Sequence, residues 1–265
     1  MSAPDVSKLH PREIRALIRQ GKWRTPTAGL APGYVQTNLA ILPKDFAYEF
    51  LVFAQRNPKP CPVIEVTDLG SWEPKLSAPG ADLRTDTPRY YIYRDGKLAE
   101  EVTDLTGVWR DDLVTFLLGC SFTFEAALLA AGVPVRHIEE GKNVPMYISN
   151  LACNPAGIFR GPMVVTMRPI PGHLVARAAQ ISGRFPGVHG SPIHVGDPKA
   201  IGIADLGRPD YGDAVTIRPG EVPVYWACGV TPQAVAAQTK PPLMITHAPG
   251  HMFITDLRDE SLAVL

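Results

Sequence analysis

The sequence predicts an α/β fold, a mainly parallel or mixed sheet flanked by helices, with a smaller α+β subdomain. Three observations carry that expectation. β-like runs alternate with helical ones in the second half of the chain, and a hairpin signal interrupts the first half. The third is size, since 265 residues, 45% of them hydrophobic, suffice to bury a large core. The chain (1–265) therefore reads as a single domain with room for two intimately packed subdomains. Soft boundaries fall near 70–80, where SWEPKLSAPG is loop-like, and near 151–157, where LACNPAG separates two textures.

In chain order, PREIRALIRQG (11–21) predicts a short amphipathic helix. Pro11 suits its first turn, Ile14, Leu17 and Ile18 share a face, and Gly21 suits its end. PRYYIYRDGKLAEEV (88–102) sets an Asp-Gly turn between β-like runs, a hairpin. Trp109, Leu113, Phe116 and Leu117 recur at helical spacing. Ser121 is a candidate cap for a second helix, with Glu125 in its first turn and Gly132-Val133-Pro134 closing it. GPMVVTMRP (161–169) is β-like and PGHLVARAAQISG (171–183) helical. EVPVYWACG (221–229) is β-like, and TPQAVAAQ (231–238) is a short helix with Thr231 as cap and Pro232 at its first position. PPLMITHAPG (241–250) is β-like again. The 27 Pro and 23 Gly punctuate these elements without repeats, so many loops should have fixed shapes.

Composition narrows the function. Lys plus Arg equals Asp plus Glu, 26 each, so bulk charge gives no sign of a nucleic-acid partner. No apolar run approaches the roughly 18 residues of a membrane span. The N-terminal stretch lacks a signal peptide's apolar core, so a cytoplasmic protein is expected. Cys61, Cys120, Cys153 and Cys228 are far apart, which argues for reduced thiols rather than disulfides or a cysteine zinc site.

Ligands of open α/β sheets bind beyond the carboxyl ends of strands. Ala227–Pro232 leads there into a helix N-terminus suited to a carboxylate, or is an ordinary capped turn. Two groups of histidines suit acid/base work, because imidazole titrates near neutrality. One is His189 and His194 with Asp197 and Asp205; the other is His247 and His251 after Thr246, with Asp256. Metal binding and plain structural hydrogen bonding are the alternatives. The His247-x-x-x-His251 spacing spans a Pro-Gly turn rather than a helix, so no metal is expected. A third group, RHIEEGKNVPMY (136–147), holds Glu139, Glu140, Asn143 and Tyr147. It reads either as a solvated charged turn or as a cleft where carboxylates and an imidazole have split pKa values. Arg84, Arg168 and Arg184 are candidate carboxylate clamps. The catalytic candidates are thus His189, His194, Glu139, Glu140 and His247. Arg84, Arg168, Arg184, Asn143, Tyr147, Thr231, Thr246 and His251 are candidates for holding substrate. Rossmann, P-loop and nucleophile-elbow motifs are absent.

Long stretches resemble the hydro-lyase family whose vertebrate members include the D-glutamate cyclase domain. They include TAGLAPGYVQTNLAILP (27–43), LRTDTPRY (83–90), WRDDLVTFLLGCSFTFEAAL (109–128) and RHIEEGKNVPMY (136–147). RFPGVHGSPIHVGDP (184–198), GEVPVYWACGVTPQ (220–233) and ITHAPGHMFITDL (245–257) continue the likeness over nearly the whole chain. The resemblance implies reversible dehydration of D-glutamate to 5-oxo-D-proline, with no cofactor. It implies a small-molecule carboxylate as partner, neither nucleic acid nor membrane, and leaves a homodimer open. Two other readings stand beside it: a hydratase or dehydratase of another hydroxy- or amino-acid, and a non-catalytic carboxylate-binding module.

Overall fold

The computed structural model describes residues 9–264; the opening eight residues, part of the stretch read for a leader, lie outside them. The helix foreseen at the start is α1 (Pro11–Arg19), with Ile14 and Ile18 buried and Leu17 half-buried. Its first turn is closed from both sides: Arg12 N donates to His10 Nδ1 at 3.3 Å, and Glu13 reaches back to His10 N at 2.9 Å.

The chain continues through β1 (Tyr34–Pro43), α2 (Lys44–Arg56) and β2 (Val63–Val66). The expected hairpin follows as β3 (Tyr90–Arg94) and β4 (Lys97–Val102), turning at Asp95-Gly96 with positive φ at both residues. Then come β5 (Leu113–Gly119), α3 (Phe122–Ala130), the single turn α4 (Arg136–Glu139), β6 (Met146–Ala152) and β7 (Pro162–Pro171). The last third is α5 (Val175–Gly183), β8 (His194–Val195), β9 (Glu221–Ala227), α6 (Thr231–Thr239), β10 (Met244–His247) and β11 (Phe253–Arg258).

Two sheets result, and every pairing among the described residues is antiparallel. One has the order β2-β5-β1-β10-β3-β4, with β11 on the N-terminal part of β1; the other runs β6-β7-β9-β8. The fold is α+β, which corrects the mainly parallel or mixed sheet expected from the sequence. The strand–helix–strand alternations exist, but they do not join neighbours in one sheet. α2 links β1 to β2, and β5 lies between them. α6 leads from β9 in one sheet to β10 in the other, and α3 and α4 lead from β5 to β6 across the same divide.

A second correction has the same origin. Residues 109–117 match helical spacing, yet Leu113–Gly119 is a strand held between β2 and β1. Strands covered on both faces read as continuous apolar runs, a pattern usual in parallel sheets. Here loops supply half of that cover. Ala40 and Leu42 of β1 face α2, α6 and Phe159, whereas Leu39 and Ile41 face Ala78, Ala81, Leu83 and Leu105 from the long connections. β4, at one edge, exposes its Lys and Glu residues and so discourages further pairing.

Phe50 of α2 ties the first of these layers together. Its ring lies 4.8 Å from Phe116, 5.3 Å from Phe159 and 6.1 Å from Phe53, with no exposed surface. Phe50→Ala is expected to cost about 3–5 kcal/mol of unfolding free energy in urea. A loss below about 1 kcal/mol would mean the cluster collapses around the gap and does not anchor α2.

Candidate active site

Three segments that are distant in sequence meet at one cleft of about 340 Å³. The Thr25–Ala28 stretch forms one wall, and α4 with the Gly141–Asn143 turn forms another; Asp213 closes a side. Backbone and side-chain bonds knit these walls to the loop after β10. Thr27 N donates to Gly250 O at 2.9 Å, Met252 N donates to Thr27 Oγ1 at 3.0 Å, and Asn143 Nδ2 donates to Pro249 O at 3.0 Å. Gly250 has φ +82°, and a Cβ there would fall 2.2 Å from Asn143 Oδ1. Only glycine allows this approach.

The cleft presents one ammonium, one carboxylate, one amide and one imidazole. Lys142 Nζ donates to Glu140 Oε2 at 2.8 Å and to Ala214 O at 2.9 Å, leaving its third proton free. Asp213 Oδ2 accepts from Asn143 N at 2.9 Å and is otherwise turned to solvent. Asn143 Oδ1 is buried without a donor. His137, 1% exposed, lines the cleft from α4, and its ring stacks on Phe122 with centroids 6.0 Å apart.

Behind His137 lies a buried charge network. His137 Nε2 is 3.1 Å from Glu125 Oε1, although the angle is poor for a hydrogen bond. The same carboxylate oxygen accepts from Arg168 Nε at 3.1 Å and from Arg168 Nη2. Arg168 also donates to Ser121 Oγ at 3.0 Å and Thr166 Oγ1 at 3.2 Å, between the rings of Phe124 and Trp226. Burial pushes the Glu125 carboxyl up, but His137 and Arg168 facing it, with the hydrogen bonds of Arg168, outweigh burial and hold the group below its ordinary value. Among the described residues no three His, Cys, Asp or Glu side chains gather as metal ligands would.

Of the residues singled out in the sequence, Asn143 lines this cleft and Glu140 anchors its lysine. Glu140 is held down to about 2, first by Lys142 and then by the bonds from Thr216, so it is ionised and not the raised acid imagined for this pair. Glu139 bonds Arg136 at 3.0 Å on the outer side. His251 sits under the cleft loop, with Nδ1 3.1 Å from Pro249 O and its pKa lowered by burial. Thr246 and His247 lie deeper in β10: Thr246 Oγ1 donates to His247 O, and Leu39 N donates to His247 Nδ1 at 3.1 Å.

The others are engaged elsewhere. His189 is buried against Lys59 O, and His194 in β8 bonds Asp197 O at 2.8 Å. Arg84 is paired bidentately with Asp82 under Trp72, and Arg184 donates to Val264 O. Tyr147 donates to Leu206 O. Thr231 is the first residue of α6 rather than its cap, and its hydroxyl donates to Cys228 O at 2.7 Å. Arg168 is no free clamp, since Glu125 occupies it. The residues not proposed as site members are His137, Glu125, Lys142 and Asp213. Glu125 carried a usable signal, because a lone carboxylate inside FTFEAALLA has no polar face to occupy and must be buried and paired.

A family model described as D-glutamate cyclase matches residues 114–256. The chain is 65% identical over 257 residues to a protein named "Putative hydro-lyase" from Stutzerimonas stutzeri (strain A1501), covering 97% of each. It is 67% identical over 259 residues to "Putative hydro-lyase Teth514_1597" from Thermoanaerobacter sp. (strain X514), covering 98% of each. With "Putative hydro-lyase YcsI" of Bacillus subtilis (strain 168) it shares 64% identity over 257 residues, 97% of this chain and 100% of that one.

Two stability outcomes follow from the buried charges. Glu125→Gln and Arg168→Met should each cost about 3–5 kcal/mol, because each leaves one buried partner uncompensated. The double variant should lose clearly less than the sum; strict additivity in a denaturation cycle would overturn the pairing. Burial lowers His189 to about 4 and His247 to about 3, below the roughly 6.5 of an unfolded histidine. Their contribution is therefore fully present above pH 6.5 or so and is lost as pH falls toward those values. His189→Asn, a residue that tolerates its φ of +85°, should flatten the fall in unfolding free energy between about pH 6.5 and 4. An unchanged slope would place the titration elsewhere.

Proposed function

We propose, from the premise that the chain belongs to the D-glutamate cyclase family, that the cleft at His137 converts D-glutamate reversibly to 5-oxo-D-proline and water. The observation that carries this reading is that Lys142 and Asp213 both line a cleft that also holds His137. An α-amino acid brings a carboxylate for the first and an ammonium for the second. A hydroxy acid brings a neutral hydroxyl and leaves the charge of Asp213 unanswered, which favours an amino-acid substrate over a hydroxy acid.

The reaction closes a lactam. The substrate ammonium gives up two of its three protons, and its nitrogen attacks the γ-carboxyl carbon. One oxygen of that carboxylate receives both protons and departs as water, leaving the C=O of the ring. Charge balances, since one carboxylate and one ammonium disappear together. His137 carries a proton from nitrogen to the departing oxygen, general acid/base work for which imidazole is suited. Glu125 acts through His137 as a positioning residue, holding the ring from behind while Arg168 fixes Glu125. Lys142, through its free proton, and the amide of Asn143 steady the carboxylates.

Incubation with D-glutamate, L-glutamate, both 5-oxoprolines and a panel of hydroxy acids, followed by mass spectrometry, tests the reaction. The expected result is loss of one water from D-glutamate and its gain by 5-oxo-D-proline. His137→Gln should lower kcat about 100-fold or more with the fold intact. Lys142→Met should raise KM by roughly tenfold, about 1.4 kcal/mol of binding. Absence of turnover with either glutamate or 5-oxoproline, or wild-type kinetics in His137→Gln, would overturn the reading.

A further inference from the structure

The two ends of the larger sheet are built differently. At β4, Lys97, Glu100 and Glu101 are all exposed. At β2 the one ionisable group, Glu65, is buried: its Oε1 accepts from Leu76 N at 3.0 Å and its Oε2 from Ser77 N at 2.8 Å. Val63 and Val66 are instead 40% and 38% exposed, and among the described residues β5 is the only strand beside them. The same edge runs on past the strand, since Thr67 N donates to Thr115 O at 2.9 Å and Gly70 N to Leu113 O at 2.8 Å. An open edge that shows valines and no charge invites another strand, and folds normally guard against that.

Apolar surface flanks this edge on both faces of the sheet. Val63 and Val66 lie opposite Leu118 and Phe116, which pack in one layer with Phe50 and Phe53, so they share the face that α2 covers. One flank of α2 is tied through Glu49 and Arg56 to the 155–158 loop, on the side of α6. The opposite flank, toward β2, presents Tyr48 and Leu51, 75% and 41% exposed. Glu65 lies opposite Leu117, in the layer on the other face, and there the loop after β2 exposes Trp72 and Leu76. Half of the fourteen large apolar side chains that the described residues expose fall between Tyr48 and Leu76. These seven together expose on the order of 700 Å², close to the roughly 800 Å² that each partner of a standard protein interface buries.

We infer that β2 is a dimer edge: a second copy of this chain lays its own β2 antiparallel to this one about a two-fold axis, joining the two large sheets into one. An axis perpendicular to the sheet keeps each face with its like, so α2 meets its copy on one side and the 69–76 loop meets its copy on the other. Val63 then faces Val66 of the second copy. A lone extended peptide would pair with the backbone but leave Tyr48 and Leu76 bare. Only a partner with apolar cover on both faces of its strand meets both, and this edge itself has that cover. Charge agrees. The exposed Lys75 and Arg110 beside the edge are paired within the chain, with Asp68 and Asp112, so neither calls for an acidic partner.

Sedimentation equilibrium of the full chain tests this. At about 50 μM the wild-type chain should sediment at twice its own mass. Val66→Lys brings two like charges together across the axis and should weaken dimerisation about tenfold or more. Tyr48→Glu, on the exposed flank of α2 and outside any strand pairing, should do the same. Leu98→Lys, the matching substitution on β4, should leave the dimer as it is. Circular dichroism and Tm show which variants are folded; if Val66→Lys does not fold, Tyr48→Glu decides alone. A wild-type monomer would overturn the inference and leave the edge to a different protein. A dimer that Tyr48→Glu leaves intact, or one that Leu98→Lys weakens equally, would overturn it as well.

Discussion

A guanidinium in the middle of a sheet, with no exposed surface, forces the organisation of this protein. Arg168 belongs to β7, an inner strand of the four-stranded sheet, and its charge can stay there only if a carboxylate is brought to it. Glu125 comes from α3, the helix that leaves the other sheet after β5. One ion pair therefore fixes how the chain passes between its two sheets. His137 is set in turn by that carboxylate, and the cleft is set by His137. Trp226 and Phe124 stack on the guanidinium and keep water from loosening the arrangement.

Local signals in the sequence were read well where the cause was local. The Asp95-Gly96 hairpin, the start of α1 at Pro11 and the strands at 161–169, 221–229 and 241–250 follow from turn chemistry and apolar runs within ten residues or so. Sheet pairing does not, because it depends on which strand becomes the neighbour. Residues 109–117 show the failure clearly. Leu113, Phe116 and Leu117 satisfy a helical period and a doubly buried strand equally well, and only β2 and β1 on either side decide.

The candidate site was partly legible for a related reason. RHIEEGKN was picked out as dense in ionisable groups, and the structure divides that density by burial. His137 and Arg136 go inward, while Glu139 and Glu140 remain nearer the surface, each held by a cation. Sequence spacing shows that charges are close but not which of them lose water. Asp213 was invisible, since nothing in its own neighbourhood marks it; only the bond to Asn143 N, across seventy positions, brings it to the cleft.

Gly250 has a consequence for how this protein can vary. The peptide there passes so close to the Asn143 side chain that a methyl group would have to turn the amide aside and break its bond to Pro249 O, and the φ of +82° disfavours any other residue besides. Such a change would act on the cleft through the amide of Asn143, which lines it, without touching any other lining residue. A protein library screened for new substrates should find this position closed, whereas Thr25 and Pro26 on the opposite wall offer side chains that can be exchanged. The geometry of the opening can thus drift on one side only, like a door whose hinge is fixed and whose latch is free.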